Sequence, residues 1–108
     1  NAKLIFTADA TNGGFVQQVR AKCAALTGTS AASVLRIFLN NGSAVGTPAN
    51  NALIGEVALP AVANTVVAAT PDIVYPLNIA IPAGYKLYAG LGTAVTTGWV
   101  VSVIGGKY

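Results

Sequence analysis

Apolar and polar residues alternate along most of this chain, and clusters of Gly, Asn and Pro break the alternation at short intervals, the pattern of short β-strands joined by turns. Lys3 to Ala8 (KLIFTA) predicts a first strand, closed by Asp9 and the turn cluster Thr11-Asn12-Gly13-Gly14. From Phe15 to Leu26 the apolar residues Phe15, Val19, Ala21, Cys23 and Ala25 fall at odd positions and Gln18, Arg20 and Lys22 at even ones. That is a half-exposed strand. A helix is disfavoured there by Val16, Val19 and the glycine pair upstream. Thr27 to Ser30 reads as a loop, and Ser33 to Asn40 as a strand with Leu35, Ile37 and Leu39 on one face and Val34, Arg36 and Phe38 on the other.

Asn40-Asn41-Gly42-Ser43 then signals a turn, because Asn and Gly tolerate the positive φ that tight turns demand. The next strand, Leu53 to Leu59, is expected to point Leu53, Val57 and Leu59 inward and Glu56 outward, which would set Glu56 opposite Arg36 if the two strands pair. Pro60 to Pro71 fits either an edge strand or an extended loop. Asp72 to Ile81 aligns Ile73, Tyr75, Leu77, Ile79 and Ile81 on one side, but Pro76 lacks the N–H a ladder needs, so this strand belongs at a sheet edge or contains a bulge. Two apolar stretches, Tyr85 to Gly92 and Trp99 to Ile104, are expected to close the fold as a hairpin.

About seven strands with no convincing helix predict an all-β chain, a single antiparallel β-sandwich or jelly-roll-like domain over residues 1–108. Composition adds a constraint on the outside of that sandwich. Charged residues make up 8% of the 108 and hydrophobic ones 54%, against a usual charged fraction of about 25%. A surface with so little charge is expected to be covered in part by copies of the chain or by a partner.

The net charge of +3 arises from six bases and three acids scattered along the chain, which argues against a nucleic-acid surface. No membrane span is predicted, since the most apolar window, Ala52 to Ala69, is broken by Glu56, Pro60 and Asn64. There is no histidine, so Ser-His-Asp and Cys-His catalysis and the common His-based zinc sites are ruled out. The acids Asp9, Glu56 and Asp72 lie on three separate segments, and Gly90-Leu91-Gly92 and Gly105-Gly106 match no phosphate-binding fingerprint. No catalytic residue, metal ligand or cofactor is therefore expected, and the chain is read as a non-enzyme. Cys23, the only cysteine, is read as a small buried hydrophobe. Trp99 and Tyr85 share parity with core positions, whereas Tyr88 falls on the opposite parity and is the better exposed contact.

The C-terminal stretch IPAGYKLYAGLGTAVTTGWVVSVIGGKY resembles the endings of small virion proteins encoded by tailed bacteriophages, and SVLRIFLNNGS and LIGEVALP fit the same pattern. The resemblance implies a capsid decoration, or cement, protein on the virion exterior, forming a homo-oligomer, a trimer being favoured, and binding the major capsid protein. It departs at the N-terminus, where decoration proteins often carry an extended arm and this sequence starts almost directly on a strand. On this reading Val34, Phe38 and Tyr88, with the loops around Asn50 and Asn64, are the expected contacts. A fibre, spike or carbohydrate-binding module using Tyr88 or Trp99, or a bacterial surface adhesive module, would share the same fold.

Overall fold

The computed structural model describes residues 2–93, 95 and 98–108. Among them the chain forms nine strands: β1 (Lys3–Thr7), β2 (Gly14–Cys23), β3 (Gly28–Ser30), β4 (Ser33–Asn40), β5 (Asn51–Leu59), β6 (Val62–Asn64), β7 (Asp72–Ile81), β8 (Lys86–Leu91) and β9 (Trp99–Lys107). One 3₁₀ turn, Pro48–Asn50, leads into β5. The strands build a four-stranded sheet of order β1-β8-β4-β5, a three-stranded sheet of order β7-β2-β9 and a small ribbon of β3 with β6, with every pairing antiparallel.

The two larger sheets enclose one core, a β-sandwich-like arrangement. Leu35 and Ile37 of β4 and Leu87 and Ala89 of β8 meet Val16, Val19 and Ala21 of β2 and Ile81 of β7. Alternate burial along β7 sends Ile73, Tyr75, Leu77 and Ile79 to the same core, as their spacing predicts. Tyr85 and Trp99 also pack against it, while Tyr88 does not. Burial of these side chains supplies the main driving force, at roughly 25 cal/mol per Å² of apolar surface.

Pro76 turns out to need both of its expected accommodations. β7 is an edge strand, and its register against β2 slips between Val16↔Ile79 and Gln18↔Pro76. Asn78, inside that slip, has φ 51°, a left-handed conformation that Asn adopts at less cost than a β-branched residue would.

Four expectations are corrected. Tyr85 to Gly92 and Trp99 to Ile104 do not form a hairpin: β8 sits between β1 and β4, whereas β9 flanks β2 in the opposite sheet. The chain crosses from one sheet to the other there, because each strand already finds its partner in an upstream segment. Thr27 to Ser30 is not all loop, since Gly28–Ser30 pairs with Val62–Asn64, the part of the Pro60 to Pro71 segment that is strand. Phe15 does not share the buried parity of Val19, because β2 carries Gln17 as an extra residue against β9, and Val16 takes the core position instead. Leu53 points outward and is 49% exposed, because a bulge where Ile54 has no facing partner on β4 reverses the alternation of β5.

Candidate functional site

The outer side of the four-stranded sheet carries a row of apolar side chains that crosses all four strands. Leu4 of β1 faces Tyr88 of β8, Tyr88 faces Phe38 of β4, and Phe38 faces Leu53 of β5. Leu4 is 51% exposed, and Tyr88 and Phe38 are half-buried. Three strand spacings of about 4.8 Å make this stripe roughly 14 Å long. Sequence periodicity places Phe38 and Tyr88 on this face. It misses Leu4 and Leu53, because β1 and β5 both contain register slips that parity counting passes over.

The next row is polar but electrically closed. Arg36 faces Glu56 across β4 and β5, and its Nε donates to a Glu56 carboxylate oxygen at 3.1 Å. On its other side Arg36 faces Gly90, and its guanidinium lies over Gly92, where a Cβ would come within 2.8 Å of Nη1. Gly92, just past the end of β8, thus leaves room for the arginine side chain. Both charged side chains are about half exposed, so the pair contributes little to stability. Its effect is to neutralise that row, while on the other flank of the stripe Lys86, at the parity of Tyr88 and opposite Asn40, keeps a positive charge on the face. Val34, opposite Ala58, continues the face beyond Arg36.

Three of the five expected contact residues, Val34, Phe38 and Tyr88, therefore share one surface. The other two are used elsewhere. Asn50 donates to the carbonyl of Ala44 at 2.9 Å and accepts from the Asn41 side chain at 3.3 Å, bracing the loop between β4 and β5. Asn64 donates to Ser30 Oγ at 3.0 Å and its carboxamide oxygen lies 3.4 Å from Cys23 Sγ, so it ties the β3–β6 ribbon to the end of β2. Cys23 is buried and unbridged, as a small hydrophobe would be, but it also takes part in this polar cluster through Ser30 Oγ at 3.3 Å.

A cavity of about 480 Å³ opens between the sheets, walled by Ile5, Leu35, Leu91, Trp99 and Val101, with Lys3 as the one titratable lining residue among the described residues. Trp99 Nε1 is buried beside it without a hydrogen-bond partner among the described residues. Such a lining can hold an apolar group but provides no acid–base pair. Among the described residues no group of three His, Cys, Asp or Glu side chains is placed to hold a metal ion, and no helix is long and apolar enough to cross a membrane.

On the outside of the other sheet, Arg20 is paired with Asp72, and Val74, Val100 and Ile104 are exposed. Asp9 has its carboxyl held below its ordinary pKa by the backbone N–H of Asn12, at 2.8 Å, and that of Thr11, at 2.9 Å. Those bonds make it a turn-stabilising group. No protein-family model, curated protein or solved structure matched this chain.

Proposed function

We propose that this chain is a non-enzymatic structural subunit of a virion, a capsid decoration protein that docks on the outer surface of the shell and ties neighbouring capsid subunits together. The observation that carries the reading is the neutral apolar stripe Leu4, Tyr88, Phe38 and Leu53 on the outside of the four-stranded sheet. Cementing requires a rigid body with a dry, low-charge contact face and no reactive group. A row of aromatic and aliphatic side chains beside a self-neutralised Arg36–Glu56 pair fits that requirement, with Lys86 on the other flank, a long side chain able to keep its ammonium in water at the rim of a contact. The sequence resemblance to small tailed-phage virion proteins points the same way, and names the major capsid protein as the partner. The two facing sheets are taken as a single β-sandwich that presents this face.

Cosedimentation with capsid shells of the virus that encodes the chain tests the reading. Saturable binding at a fixed ratio to the capsid subunit is expected, lost in Phe38→Asp and Tyr88→Asp variants that keep the thermal midpoint of the parent. Absence of the chain from purified virions, or binding indifferent to both substitutions, overturns it.

A second reading rests on Tyr88 and Phe38 lying one row from Arg36 and Glu56, since an aromatic surface next to hydrogen-bonding charges is also how a sugar ring is held. Trp99 does not serve that role, because it packs against the core. Glycan binding abolished by Tyr88→Ala would favour a receptor-attachment module over a cement protein.

A further inference from the structure

The two large sheets have four edges: β1 and β5 border one sheet, β7 and β9 the other. An open edge invites another chain, and proteins usually blunt theirs with shortness, bulges, prolines or charges. Three of these edges are blunted. β1 has five residues and a slipped register between Leu4 and Phe6. β5 bulges at Ile54 and carries Glu56. β7 contains Pro76 and the left-handed Asn78.

β9 has none of these devices. Its nine residues, WVVSVIGGK, include no proline, and the only charge is Lys107 at the end. Where its register against β2 slips, the extra residue, Gln17, belongs to β2. β1 passes near β9 in the facing layer without pairing with it.

The direction of the β9 backbone follows from its two ends. Ala24 N–H donates to the Gly98 carbonyl at 3.2 Å, and Tyr108 N–H donates to the Gly13 carbonyl at 3.1 Å. In an antiparallel strand each residue points its N–H and C=O to the same side, and successive residues alternate. Even-numbered residues from Gly98 to Tyr108 therefore face β2. Trp99, Val101, Val103, Gly105 and Lys107 turn their donors and acceptors to the open edge.

We propose that a second copy of this chain pairs with that edge, β9 against β9, antiparallel about a two-fold axis at Val103, so that two three-stranded sheets join into one. This register sets Trp99 against Lys107, Val101 against Gly105 and Val103 against its own copy, and it engages every outward-facing residue of the strand. Each facing pair exchanges two hydrogen bonds. On the solvent side it sets Val100 against Gly106 and Ile104 against Ser102, a large side chain against a small one each time. No like charges are brought together. Arg20 and Lys22 lie on β2, one strand further in, so each stays about 14 Å across the joined sheet from the nearest strand carrying its copy, beyond the screening length of physiological salt. The contact is self-complementary, as a two-fold interface must be. It uses the opposite sheet from the docking face, and it holds or fails independently of the capsid reading.

Sedimentation equilibrium of the purified full chain across micromolar concentrations tests the proposal, and a monomer–dimer equilibrium is expected. Val103→Pro removes an N–H that points away from β2, so the intrachain ladder keeps its bonds while two bonds at the axis are lost. A dimer weakened at least about tenfold is expected. Ile104→Lys, at a side chain 41% exposed, puts two ammonium groups diagonally across the axis without touching the core. It should weaken the dimer similarly, and more so at low salt. Amide exchange gives a third readout. In the dimer Val101, Val103 and Gly105 are protected, whereas in Ile104→Lys only the residues facing β2 remain so. Phe38→Asp should leave the dimer intact. A monomer at every concentration, a trimer, or a dimer whose mass and exchange pattern are unchanged by Ile104→Lys overturns the proposal.

Discussion

The ring of Tyr75, on β7, lies against the backbone of Gly55, on β5, so closely that a Cβ at Gly55 would stand 2.6 Å from a ring carbon. This contact closes one side of the sandwich, where the edge strands of the two sheets lie over each other. Only a glycine lets β5 approach the ring at that distance.

Gly55→Ala is accordingly expected to destabilise the fold by about 1–3 kcal/mol through overpacking. Urea unfolding measures it, and the cost should shrink in a Tyr75→Leu background, where the ring is gone. Equal costs in the two backgrounds would locate the strain elsewhere.

Asn40 is fully buried at the end of β4. Its side-chain nitrogen donates to Asn51 Oδ1 at 2.8 Å and its Oδ1 accepts from Gly42 N–H, also at 2.8 Å, so one residue joins strand, turn and the start of β5. Asn40→Ala leaves both partners unsatisfied and should cost about 1–3 kcal/mol. Thermal unfolding reads this out, and an unchanged midpoint would show that water replaces the side chain freely.

Asp9 sets a pH dependence of known sign. Its folded pKa is depressed by the Asn12 and Thr11 amides, so the carboxylate's contribution is present above the unfolded aspartate pKa, about 3.9, and is lost as pH falls through the lower folded value. An NMR titration should find the Asp9 carboxyl titrating below ordinary aspartate, with the Thr11 and Asn12 amide shifts moving together with it. In Asp9→Asn that coupled movement should vanish.

Trp99 Nε1, buried without a partner among the described residues, already bears the cost of desolvation. Trp99→Phe removes the orphaned N–H along with some apolar contact, and the two effects oppose each other. A net change within about 1.5 kcal/mol is expected in urea unfolding. A loss above about 3 kcal/mol would mean that the indole N–H is satisfied in solution.

Much of the architecture is legible in the residues themselves, since period-two alternation is a local consequence of strand geometry. It places Leu35, Ile37 and the odd residues of β7 in the core, Phe38 and Tyr88 on an outer face, Arg36 and Glu56 at outward positions that face each other once β4 and β5 pair, and Pro76 at an irregular edge. The low charge likewise foretells a surface with little to keep it wet. Tertiary structure decided what alternation does not carry. Single-residue bulges at Gln17 and Ile54 reverse the parity of what precedes them, bringing Val16 into the core in place of Phe15 and turning Leu53 out to complete the apolar row. Strand partners were also decided there, because β8 and β9 are neighbours in sequence but pair with β4 and β2 in opposite sheets. Only that choice leaves β9 as an open edge. A strand's faces depend on its own residues, whereas its neighbours depend on which distant segment competes best for its hydrogen bonds.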